Sequence, residues 1–72
     1  MGWGSAYSLF NTVANALIEA NASDEIKEKA LTKVIARLQE DDWDTELDSL
    51  QLFLDDPAIV RAFANNGVHW PA

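Results

Sequence analysis

The sequence predicts an all-α fold, a compact bundle of three to four short antiparallel helices, on three observations. Apolar residues recur at three- and four-residue intervals in successive stretches of the chain. No stretch alternates apolar with polar residues as a half-buried strand does. The intervals between stretches are two to six residues long, as in connections between packed helical neighbours. With 72 residues there is room for one core only, so residues 1–72 are expected to form a single helical domain with short irregular segments at 1–5 and 67–72.

The first helix is expected over about Ala6 to Ala20, with Leu9, Phe10, Val13, Leu17 and Ile18 turned inward. Asn21 stands where a left-handed residue commonly ends a helix, and Ser23, followed by Asp24 and Glu25, offers a hydroxyl cap and first-turn acids to the next. That capping role explains "NAS" better than glycosylation does, since no secretory leader is evident. The second helix, about Asp24 to Gln39, turns Ala30, Leu31, Val34, Ile35 and Leu38 inward and carries a basic stripe of Lys29, Lys33 and Arg37.

A third helix is expected to start within "EDDWDTELD", residues 40–48, capped by Asp42 or Asp44, or by Thr45 with Asp48 in a capping box. Leu47, Leu50, Phe53 and Leu54 form its apolar side, and Trp43 projects onto the same side and is expected in the core. The last helix announces both ends: Asp56 as cap, Pro57 at the first helical position, and Gly67 past the last turn with Val68 reaching back to Phe63. Ile59, Val60 and Phe63 face its core. Trp3 and Trp70 fall outside the predicted helices, where they are expected to fold over the bundle as lids.

Charge narrows the function classes. Twelve acids against five bases give a formal charge of −7, which repels nucleic acid and anionic membrane and favours basic partners. Between Glu40 and Asp56 lie eight acids and no base. A recognition helix needs several bases, and the last helix carries only Arg61, so direct nucleic-acid binding is not expected. No run reaches the roughly 18 apolar residues of a membrane span. With no cysteine, there is neither a disulfide nor a thiolate nucleophile, and a cytoplasmic setting is expected.

The carboxylates of residues 40–48 admit four readings. As a calcium loop they fail, because counting from Asp42 the glycine and bidentate glutamate positions hold Leu47 and Phe53. As a catalytic acid pair they lack a cleft to separate their pKa values; no serine elbow is present, and His69 lies in the tail "HWPA", so neither enzyme activity nor a cofactor is expected. As a solvated helix face, Asp44, Asp48 and Asp55 would form an acidic stripe lying within about 40° at 100° per residue. The fourth reading starts from surplus: capping and the helix dipole need one or two acids, and this stretch holds six. Asp41, Asp42, Asp44, Asp48 and Asp55, around an exposed Leu52, are then a surface for a basic protein.

The stretches "GWGSAYSLF", "LIEANASDEIK", "DWDTELDSL" and "DDPAIVRAFANNGV" resemble a set of short acidic proteins of bacteria and their phages. The resemblance covers most of the chain, implies a bacterial or phage origin and carries over no functional residue. In size, charge and helix content the chain is also similar to the small acidic inhibitors that serve as bacterial immunity proteins or phage anti-defence proteins. The expected protein is a monomer or weak homodimer that binds a basic protein surface. The competing expectation is a homo-oligomeric assembly module in which exposed apolar residues such as Leu52 and Trp70 join copies.

Overall fold

The computed structural model describes residues 3–71. They form four helices: α1 (Trp3–Glu19), α2 (Asp24–Glu40), α3 (Glu46–Leu52) and α4 (Pro57–Ala64). The result is the all-α bundle that the patterning predicts, with a Cα radius of gyration of 11.0 Å, close to the roughly 11 Å expected of a compact chain of this length.

The helix ends are set by local chemistry. Ser23 Oγ accepts the Ile26 N–H at 3.2 Å and Asp56 Oδ1 accepts the Ala58 N–H at 3.0 Å, so two of the orphan first-turn donors are satisfied at α2 and at α4. Three helices end in the same way. Asn21, Asp42 and Gly67 take the left-handed conformation, with φ of 57°, 63° and 80°. Around them Ala22 N–H reaches Leu17 O, Trp43 N–H reaches Leu38 O, and Val68 N–H reaches Phe63 O, at 3.0, 3.3 and 3.0 Å. These are Schellman endings. Asn21 and Gly67 are legible as such from the sequence. Asp42 is not the cap of the third helix, as the sequence suggested, but the residue that terminates the second.

Helix α1 begins at Trp3 rather than at Ala6, so residues 3–5 are helical and Trp3 does not lie outside the helices. Its proposed lid role falls on a side chain outside the described residues. Trp70, in the non-helical tail, is 39% exposed.

The core is organised around Phe10. Its ring lies 5.5 Å from Trp43, 6.0 Å from Phe53 and 5.0 Å from Phe63, joining α1 to the α2–α3 connection, to the residue after α3, and to α4. Tilted and edge-on pairs of this kind contribute about 0.5–1.5 kcal/mol each beyond the area they bury. Leu31, Ile35, Leu38, Leu50, Ile59 and Ala62 complete the packing.

On α1 the buried line is Ala6, Phe10 and Ala14, with Val13 and Leu17 beside it. Leu9 and Ile18, expected inside, are exposed. The reason is that the two alanines, one turn either side of Phe10, let neighbouring elements come close and centre the contact on themselves.

Helices α2 and α4 share a polar seam. Lys27 pairs with Asp56 at 2.6 Å, Glu28 accepts from Arg61 at 2.6 Å and from Asn65 at 3.1 Å, and Asn66 Nδ2 donates to the Thr32 carbonyl at 2.9 Å. Partners advance along both helices together, so α2 and α4 run in the same sense, unlike the antiparallel arrangement expected throughout, with α3 carrying the chain back.

Candidate protein-docking surface

The stretch from Glu40 to Asp48 is a helix end, a loop and a helix start, and each part disposes of its carboxylates differently. Glu40 closes α2, and Asp41 follows it half-buried; both pair with Arg37, at 3.6 and 3.1 Å. Asp42 makes the left-handed turn, and that turn drives Trp43 into the core, where it is 4% exposed. Sequence and structure agree on this burial, although Trp43 precedes α3 instead of lying on it.

The indole Nε1 of Trp43 donates to Thr45 Oγ1 at 2.9 Å. Thr45 is the residue before α3, yet its hydroxyl makes no capping bond, so the capping box with Asp48 does not form. Glu46 accepts from Gln39 Nε2 at 2.9 Å, which ties the start of α3 to the end of α2.

What remains outward is Asp42, Asp44, Asp48 and Asp55, all exposed. Among the described residues none of the four takes part in an ion pair. They do not form a stripe on one helix, because α3 covers only Glu46–Leu52: Asp44 lies in the loop before it and Asp55 in the turn after it. The surface is a strip that passes from loop to helix to turn. Nor does it lean on the basic stripe of Lys29, Lys33 and Arg37, since α2 packs chiefly on α4 and α1 while α3 packs on α1 and α4.

Leu52, one turn after Asp48 on α3, is 57% exposed, as its place off the apolar arc predicts. Leu47 and Leu54, expected in the core, are exposed as well. A helix of two turns can bury only its inner third, and here that third is Ser49 and Leu50, followed by Phe53. Four exposed carboxylates and an exposed leucine thus lie along a segment whose backbone is anchored by Trp43 and Phe53.

Chemically, the strip offers negative charge with an apolar centre. Among the described residues no three acidic or histidine side chains converge as a metal site would require. His69 is exposed in the tail. In the α2–α4 seam, titration is perturbed by the paired charges. Burial pushes the Asp56 carboxyl up, but the hydrogen bond and charge of Lys27 and the N–H groups of Ile59 and Ala58 outweigh it and hold the group below its usual value. Glu28 is lowered by its hydrogen bonds from Arg61 and Asn65.

The seam itself has no signature in the sequence. Its partners are 29 to 37 residues apart, and beforehand Asp56 draws notice as a cap and Arg61 only as the base of the last helix. No protein-family model, curated protein or solved structure matches the chain.

Proposed function

We propose that this chain is a non-catalytic binding protein that offers the strip of Asp42, Asp44, Asp48 and Asp55, centred on Leu52, to a basic surface of another protein. The observation that carries the reading is that these carboxylates are exposed and unpaired among the described residues while Leu52 stands among them more than half exposed. Carboxylates around an apolar centre suit a partner with lysines or arginines rimming a hydrophobic patch: the charges steer the encounter and the leucine supplies burial. Asp41, already held by Arg37, sits at the margin. An inhibitor of the immunity or phage anti-defence kind would act in this way, covering a basic site on its target.

The test is affinity capture from a bacterial lysate. Retention of a partner should fall when salt rises from about 50 to about 500 mM, because screening shortens the reach of exposed charges, and the Asp44→Asn/Asp48→Asn and Leu52→Ser variants should each lose it. Salt-independent capture by all three proteins would overturn the reading.

A further inference from the structure

Between α1 and α2 lies an apolar groove of about 320 Å³, floored by Leu9, Val13, Val34 and Leu38 with Lys33 and Arg37 along its α2 edge. Here exposed bases border apolar surface. Of the five bases, Lys27 and Arg61 are committed to the α2–α4 seam. Arg37 pairs within its own stretch with the exposed Glu40 and the half-buried Asp41, and its guanidinium stays largely exposed, a setting in which ion pairs are weak.

An occupant must place an apolar side chain in the groove and carboxylates beside Lys33 and Arg37, which are separated by four residues, about 6 Å along the axis. This chain carries such an edge: Leu52, with Asp48 one turn before it and Asp55 just after. No α3 residue lines the groove, so a molecule does not fill its own.

We propose that the groove is the docking site for a second copy of this chain, which seats Leu52 in it with Asp48 and Asp55 against Lys33 and Arg37. The proposal rests on the reading of the strip as a docking surface and names its receptor. The contact is heterologous, head to tail, so in a pair one copy keeps a free groove and the other a free strip for further neighbours. Repulsion between two bodies of charge −7 is screened beyond about 8 Å at physiological salt, which leaves the local pairing to decide. A foreign basic partner would compete with assembly, because both use the strip.

Sedimentation velocity at about 150 mM salt tests it. The mean mass of the wild-type protein should rise with concentration up to about 0.5 mM. Lys33→Glu/Arg37→Glu destroys the groove and Asp48→Lys/Asp55→Lys the strip, so each variant alone should stay monomeric. Mixed in equal amounts, the first supplies a sound strip and the second a sound groove, and because the reversed charges also pair with each other, mixed species of two copies or more should appear. Leu9→Ser is a second groove variant that leaves all charges in place, and it should weaken association at least about tenfold. Wild-type protein that stays monomeric at about 0.5 mM, groove variants that associate like wild type, or a mixture that forms no mixed species would each overturn the proposal. Loss of lysate capture by Asp48→Lys/Asp55→Lys in a chain that is strictly monomeric would end self-docking while leaving the strip as a surface for another protein.

Discussion

Lys27 Nζ meets Asp56 Oδ2 at 2.6 Å, while Asp56 Oδ1 accepts the Ala58 N–H at 3.0 Å. One carboxylate therefore caps α4 and fastens it to α2, with both side chains of the pair largely removed from water. Asp56→Ala removes the cap and strands the ammonium, and it should destabilise the fold by about 2 kcal/mol. In a domain this small that lowers Tm by on the order of 10 °C. Asp56→Asn keeps an oxygen for the cap and should lose about half as much. Thermal unfolding of the two variants checks the ordering.

The same seam fixes the pH dependence. Asp56 and Glu28 have folded pKa values below their unfolded ones, so the stability they add is present above the unfolded carboxyl value of about 4 and is lost as pH falls through the folded values. Lys27 is shifted upward by its hydrogen bond to Asp56, so its contribution is complete below about pH 10 and fades as pH rises through its folded value. Urea midpoints should fall below about pH 4, and the Asp56→Asn variant should show a shallower acid limb.

Ser49 is fully buried and its Oγ has no hydrogen-bond partner among the described residues. A buried hydroxyl without a partner loses its hydration with nothing in return, and alanine is the better helix former. Ser49→Ala should stabilise the protein by about 1 kcal/mol, read as an increased urea midpoint at unchanged m-value.

The three left-handed helix ends predict opposite responses to substitution. A methyl group at Gly67 would meet nothing within 4 Å, but the residue holds φ of 80°, so Gly67→Ala should be destabilising by about 1 kcal/mol through backbone conformation alone. Asp42→Gly relieves the same penalty at the end of α2 and gives back part of the gain through the freer unfolded chain. Its effect should lie between neutral and about 0.5 kcal/mol stabilising, measured by chemical unfolding.

The start of α2 and both ends of α4 were legible because their signals are local: Ser23 before Asp24, Asp56 before Pro57, and Gly67 past the final turn. The third helix was not. Asp42, Asp44 and Thr45 are all cap-forming residue types, and choosing among them depends on Trp43 packing against Phe10 and Phe63, contacts far apart in sequence. Projection of Asp44, Asp48 and Asp55 onto one helix face assumed a continuous helix that the turn at Phe53 ends. On α1 the pattern could not separate the buried Ala6 and Ala14 from the exposed Ala16 and Ala20, since alanine suits either setting. Within the candidate surface, the exposure of Leu52 followed from its angular position, whereas that of Leu47 and Leu54 depended on how little of α3 its neighbours cover.

The anchoring of Trp43 has a practical corollary for anyone hoping to shrink this molecule to its charged segment. A synthetic nonapeptide spanning residues 40–48 would keep all six acids but none of the restraint that the buried indole and the left-handed Asp42 impose. Its carboxylates would have to be ordered afresh at each encounter, an entropic loss that the intact domain has already met by folding.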